Sequence, residues 1–120
     1  MLWAPVSATF PYSILYYSDE AEDGGKLLRR ELSEFENVYD TDFYSLKNYL
    51  DRIKALIQID QGTADDAIPM AWSDNLVKTL KDQDLEVNYN IYPGSDHNLE
   101  PMWNIAIQKD LEFFRLNLKN

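Results

Sequence analysis

Apolar residues recur along this chain with the period of strands in some stretches and of helices in others. Residues 2–7 form a short apolar run that predicts a buried strand, and Pro5 within it indicates a sheet edge or a strand end. Leu28, Leu32 and Phe35 follow the i, i+4, i+7 spacing of a helix with one buried stripe. A second helical stripe follows, and either Asp42 or Ser45 is expected to cap its helix. Its members are Phe43, Leu46, Leu50 and Ile53.

The second half of the chain has a sharper pattern. Residues 55–60 are almost continuously apolar, which is typical of a strand buried on both faces, and Gly62 ends this strand. Residues 85–92 alternate apolar and polar and predict another strand. Pro69 suits the first turn of a helix between them. Its predicted core face comprises Trp72, Leu76, Val77 and Leu80, and that of a last helix comprises Trp103, Ile107, Leu111, Phe114 and Leu118.

Strands that alternate with helices indicate right-handed crossovers and a parallel sheet. The sequence therefore predicts an α/β fold with about three parallel strands, and its 120 residues allow one domain. Within it we expect a helical insertion at residues 10–50 and a strand–helix–strand–helix segment at residues 55–118.

Charge and composition narrow the classes of partner. The net charge of −10 argues against nucleic acid and anionic membrane surfaces. The chain has no cysteine and a single histidine, a poor set for a transition metal, so we expect neither metal nor cofactor. No apolar run approaches the ~18 residues of a membrane span. The absence of cysteine is compatible with a reducing compartment, and a cytoplasmic location is expected.

Candidate chemistry follows two of the predicted strands. Asp65 and Asp66 come after the strand at residues 55–60, and His97 comes after the strand at residues 85–92. The carboxyl ends of parallel strands share one edge, where sites of α/β proteins lie. A carboxylate that accepts a hydrogen bond from an imidazole makes it a general base. Alternatively, the aspartates cap the next helix and the histidine is a surface residue.

The stretches ALIQIDQGTADDAIP, YPGSDHN and DLEFFRLNL, in this order, resemble the carboxyl-terminal part of the α/β-hydrolase fold. The likeness is strongest to its prolyl oligopeptidase and dienelactone hydrolase branch. It implies that Asp65 is the acid and His97 the base of a catalytic triad, with Asp66 as a neighbour that caps the helix or shapes the site. Where that branch often has a histidine before the G-T-A-D turn, this chain has Asp60 and Gln61, which we expect to lie outside the triad.

The nucleophile of this fold lies on a G-x-S-x-G elbow that precedes the acid and the base, and these 120 residues contain none. The resemblance implies that the elbow would precede residue 1. Ser7 is an alternative nucleophile because Ser7, Asp65 and His97 have the right chain order. It has no elbow around it, however, and a turn serine after Pro5 is the simpler interpretation.

Two functions follow, from different classes. The first is the carboxyl-terminal segment of a serine hydrolase that acts on esters or peptides once an amino-terminal half completes it; a small esterase using Ser7 is a variant. The second is a non-catalytic module that forms homo-oligomers through the unpaired edge of the first strand.

In the family, the insertion between the strands that correspond to residues 2–7 and 55–60 commonly covers the acyl pocket. The pocket candidates, which otherwise simply pack the helices, are Phe10, Tyr12, Tyr16 and Tyr17.

Overall fold

A computed structural model describes residues 1–118 of the chain. Its strands are β1, Leu2–Trp3; β2, Ile57–Gly62; and β3, Val87–Tyr92. Its α-helices are α1, Tyr12–Leu15; α2, Lys26–Val38; α3, Met70–Asp82; and α4, Trp103–Asn117. Short 3₁₀ helices cover Ser18–Glu20, Thr41–Tyr44 and Leu46–Arg52. The chain divides into a first unit, residues 1–6 together with the chain from Lys54 onward, and a second unit, Ser7–Ile53.

The first unit is a three-stranded parallel sheet with flanking helices, which confirms the predicted α/β fold. The strand order is β1-β2-β3, and β2 pairs with both neighbours in parallel. The β2–β3 register runs from Ile57 opposite Val87 to Gly62 opposite Tyr92. Because the two strands end side by side, the loops that follow them leave the sheet at the same edge.

Strand β2 is the centre of this unit, and all six of its residues are buried. Helix α3 begins directly after Pro69, and its predicted core face is confirmed, since all four residues named for it are buried. Tyr92, Leu99 and Ala106 form a second buried cluster beyond the end of β3, with Trp3 and Met102 packed against it. This cluster supports the loop between β3 and α4.

The predicted core face of α4 is wrong by one position. The buried residues of this helix are Ala106, Asp110 and Phe113, whereas Leu111 is 64% exposed. Periodicity treats an aspartate as a surface residue. Here Asp110 is buried because the Trp3 indole nitrogen donates to Oδ2 at 3.0 Å and the Gln58 amide donates to Oδ1 at 2.6 Å.

The first strand is shorter than predicted and ends at Trp3 rather than at Ser7. Ala4 still donates its backbone N–H to the Asp60 carbonyl at 2.9 Å, but its φ of 38° turns the chain out of the sheet, and Pro5 has no N–H to continue the ladder. Self-association through this strand stays a prediction, and the edge that would carry it is only two residues long.

In the second unit, α2 confirms the first predicted helix, and Leu28, Leu32 and Phe35 are its half-buried stripe. The second predicted helix is wrong, since two 3₁₀ helices replace it. Asp40 caps the first by accepting from the backbone N–H of Asp42 at 3.0 Å. Ser45, in extended backbone, takes the N-cap position of the second without a side-chain cap hydrogen bond. Among residues 1–118, no helix is long and apolar enough to cross a membrane.

Candidate active site

The loops after β2 and β3 are joined by backbone hydrogen bonds at the shared edge of the sheet. Thr63 N–H donates to the Tyr92 carbonyl at 3.1 Å, and Ala64 N–H donates to the Ser95 carbonyl at 2.9 Å. Gly94 N–H donates to the hydroxyl of Thr63 at 2.8 Å. The two loops therefore hold each other in place before any side chain of the site is considered.

Asp65 is the buried acid of this edge, with a side chain only 1% exposed. Its Oδ1 accepts the backbone N–H groups of Ala67 at 2.9 Å and Ile68 at 2.8 Å. Its Oδ2 accepts from the Gln61 side-chain amide at 3.2 Å. The neighbouring Asp66 is exposed, and α3 begins at Met70, after Pro69 in the N-cap position, without a side-chain cap.

His97 faces this carboxylate. Its Nδ1 lies 3.0 Å from Oδ2 and 3.2 Å from Oδ1 of Asp65, and its side chain is 45% exposed. Asp96 orders the loop around it by accepting the N–H groups of Asn98 at 2.9 Å and Glu100 at 3.0 Å. With a proton on Nδ1 donated to Asp65, the neutral imidazole presents the lone pair of Nε2 as a base. The structure therefore brings together the two residues that the sequence singled out.

Gly62 lets the two loops approach this closely. A Cβ at this position would run into the backbone carbonyl oxygens of Ser95 and Asp96. Neither oxygen can rotate away, since both belong to the main chain. The glycine at the end of β2 is therefore required by the path of the histidine loop.

We expect Gly62→Ala to lower the free energy of unfolding by about 1–3 kcal/mol, because the backbone must shift to admit a methyl group. The same shift should separate His97 from Asp65. Denaturant unfolding and the NMR signal of the His97 Nδ1–H report the two effects. Gly94→Ala is a control for backbone strain without a steric clash, since its Cβ meets no atom within 4 Å but its φ of +72° disfavours any side chain, and it should leave the NMR signal unchanged. A Gly62→Ala chain as stable as the wild-type chain, with an unchanged NMR signal, would contradict this role.

Beneath the site, β2 carries a buried acid that the sequence analysis placed outside the triad. Asp60 is fully buried, and its Oδ1 accepts the Tyr92 hydroxyl at 2.7 Å and the Asn90 amide at 3.0 Å. The Gln58 amide bridges it to Asp110. The sequence did contain a signal of this buried polar network. Gln58 and Asp60 stand two positions apart in the otherwise apolar run 55–60, so they share one face of the sheet.

Burial, and then the charge of Asp60, raises the pKa of Asp110 above its ordinary value of 3.8. Burial, and then the hydrogen bond to Asp60, likewise raises the pKa of the Tyr92 hydroxyl above its ordinary range. Tyr92 therefore remains a donor at neutral pH. Among residues 1–118, no group of three or more histidine, cysteine or acidic side chains is placed to hold a metal ion.

The other predicted site residues belong to the second unit. Ser7 is the first residue of that unit, so its predicted place at the end of the first strand is wrong, while its role as a nucleophile stays a prediction. Phe10 contacts the rings of Phe35 and Tyr44, with centroids 5.7 and 5.9 Å apart.

The three tyrosines of the pocket prediction follow Phe10 along the chain. Tyr16 packs edge-on against Tyr17, with ring centroids 5.0 Å apart, and the centroid of the Tyr12 ring lies 6.2 Å from that of Tyr16. Tyr12 is 55% and Tyr16 is 42% exposed. The role of these four aromatic residues in a substrate pocket stays a prediction.

Comparisons with known proteins add little to this geometry. No protein-family model matches the chain, and no curated protein matches it. Among solved structures, the chain is similar to a truncated form of a carbohydrate esterase from gut microbiota, with 20% sequence identity and a TM-score of 0.49. The match covers 61% of this chain and 27% of that structure, so the chain spans about a quarter of its length.

Proposed function

We propose that this chain supplies the acid and the base of a serine hydrolase that acts on esters or peptides by acyl transfer. The observation that supports it is the contact of 3.0 Å between His97 Nδ1 and Asp65 Oδ2, at the carboxyl ends of adjacent parallel strands. The order of acid, base and closing helix along the chain is that of the prolyl oligopeptidase and dienelactone hydrolase branch. We assign the chain to that branch as part of the proposal.

The proposed reaction uses His97 as a proton carrier. A serine on a G-x-S-x-G segment outside these 120 residues attacks the carbonyl carbon, and His97 Nε2 takes its proton. Asp65 stabilises the imidazolium. It also keeps the ring in the orientation in which Nδ1 donates to Asp65 and Nε2 exchanges the proton. His97 then returns the proton to the leaving alcohol or amine, and water releases the acyl group in a second round of the same steps.

Complementation tests this proposal directly. The chain is produced together with the amino-terminal half of a hydrolase of the resembled branch, which carries the G-x-S-x-G serine. Hydrolysis of p-nitrophenyl acetate is followed by absorbance. We expect activity from the mixture and from neither half alone. A mixture that forms a complex but hydrolyses no ester, or whose rate is the same with His97→Ala, would contradict the proposal.

The alternative esterase, with Ser7 as nucleophile, makes a different prediction for the isolated chain. We expect a fluorophosphonate probe to leave Ser7 unlabelled, because this serine has neither the elbow nor the glycine neighbours that expose a nucleophile in this fold. Mass spectrometry of the digested chain measures the label, and Ser7→Ala is the control. Labelling that disappears in Ser7→Ala and weakens in His97→Ala would favour the alternative.

A further inference from the structure

Gln61 contacts the proposed triad acid from inside the sheet. It is fully buried at the penultimate position of β2, and its Nε2 lies 3.2 Å from Asp65 Oδ2. Its Oε1 accepts the hydroxyl of Ser73 on α3 at 2.6 Å, and Ser73 is also fully buried. The resemblance to the hydrolase branch led us to expect Gln61 outside the triad, and the structure places it against the carboxylate.

The orientation of this amide follows from its partners. Nε2 faces three acceptors: the carbonyls of Gly62 at 3.1 Å and Ile68 at 3.4 Å, and Asp65 Oδ2. Oε1 faces the hydroxyl of Ser73, which has a proton to donate. A rotated amide would set its oxygen against these acceptors, so only one orientation satisfies the network.

We infer that Gln61, held by Ser73, is a positioning residue that sets the rotation of the Asp65 carboxylate and so the direction in which it accepts the His97 proton. This inference rests on the proposed function for its catalytic meaning. The terminal torsion of an aspartate is broad, so one anchored oxygen leaves the carboxylate free to turn. Ala67 and Ile68 anchor Oδ1 through the backbone, and Gln61 anchors Oδ2. With both oxygens held, the carboxylate plane is fixed toward Nδ1.

Gln61→Met tests the inference, because methionine has a similar volume and no donor. Gln58→Met is its matched control, since Gln58 is another buried glutamine of β2 and bonds Asp60 and Asp110 rather than Asp65. His97 is the only histidine of the chain, so ¹⁵N NMR of the isolated chain gives a single set of ring signals that shows which nitrogen carries the proton.

We expect the wild-type chain and Gln58→Met to carry the neutral-ring proton on Nδ1. In Gln61→Met, part of the population should shift to Nε2, the tautomer that a free imidazole side chain favours in water. An unchanged ring proton in Gln61→Met, an equal shift in both variants, or a wild-type ring already protonated on Nε2 would overturn the inference.

Serine variants provide a milder test if either methionine variant fails to fold. Ser73→Ala removes only the hydroxyl that holds the Gln61 amide, and a smaller shift in the same direction is expected. Ser95→Ala is its control, because Ser95 is buried next to the site and its hydroxyl has no hydrogen-bond partner within the described part of the chain. No shift in Ser73→Ala, or the same shift in Ser95→Ala, would show that Ser73 does not hold the amide.

The complex of this chain with the amino-terminal half of a hydrolase, here called the complemented hydrolase, gives a second measurement. We expect Gln61→Met to lower kcat by about tenfold with KM unchanged, since one hydrogen bond to a charged group is lost from the catalytic step and not from substrate binding. Gln58→Met should leave kcat within about twofold. Because the NMR measurement needs no activity, a complex that hydrolyses no ester would reject the proposed function and leave the positioning result intact. An unchanged kcat in an active complex would reject the positioning role in the reaction.

Discussion

Replacing His97 by alanine in the complemented hydrolase is expected to lower kcat by about 10⁶-fold, the loss seen when the base of a serine-hydrolase triad is removed. The physical reason is that His97 is the only imidazole of the chain, and its Nδ1 contact with Asp65 leaves Nε2 to take the proton of the serine. Rates with p-nitrophenyl acetate measure the loss. His97 is 45% exposed, so the substitution should leave the free energy of unfolding nearly unchanged.

The role of the acid that contacts His97 is tested by substituting two adjacent aspartates. Asp65→Asn should lower kcat by about 10⁴-fold, because an amide in place of the carboxylate favours the wrong tautomer of the imidazole. Asp66→Asn removes the same charge one residue along the chain, from an exposed side chain, and should change kcat by less than about threefold. The opposite ranking of the two variants would reassign the acid to Asp66. Equal, small effects would contradict a triad at this edge.

Stability of the first unit should depend on pH through Asp110. Its carboxyl has a pKa above the ordinary value of 3.8, chiefly through burial and next through the charge of Asp60. A raised pKa in the folded state favours the protonated form there. The stabilisation is therefore fully present below about pH 4, the range of an unfolded aspartate, and is lost as the pH rises through the raised pKa.

Asp110→Asn isolates this dependence, since an amide does not titrate. The free energy of unfolding of the wild-type chain minus that of Asp110→Asn should decrease as the pH rises from about 4 toward neutrality, measured by denaturant unfolding. Glu112→Gln removes one charge from the exposed side of the same helix and controls for net charge. A difference that is constant over this range would contradict a raised pKa of Asp110.

Asp110→Ala should have the largest effect on stability, a loss of about 3 kcal/mol at neutral pH. It removes the acceptor of the part-buried Trp3 indole N–H and one of the two carboxylate acceptors of the Gln58 amide, which keeps Asp60, and a buried donor that loses its partner costs about 1–3 kcal/mol. For a domain of this size that is a large share of about 5–15 kcal/mol. A loss below about 1 kcal/mol would mean that water reaches these donors.

Local patterns were enough to predict the order of strands and helices in the first unit and the core face of α3. They failed where a side chain's environment depends on a distant partner. Asp110 is buried because of Trp3, 107 positions away, and Gln58, 52 positions away. The spacing of apolar residues within α4 contains no information about those partners, so the predicted stripe followed Leu111 to the wrong face.

The sequence by itself determined that a carboxylate and the single imidazole follow two strands of a parallel sheet, since strand periodicity and chain order are local properties. Only the tertiary structure decided that they meet at 3.0 Å, because this depends on the register that sets Gly62 beside Tyr92 and on the space that Gly62 leaves for the histidine loop. The role of Gln61 was decided in the same way. A buried glutamine acquires a function only from the groups that tertiary packing brings within hydrogen-bond distance, here Asp65 and Ser73.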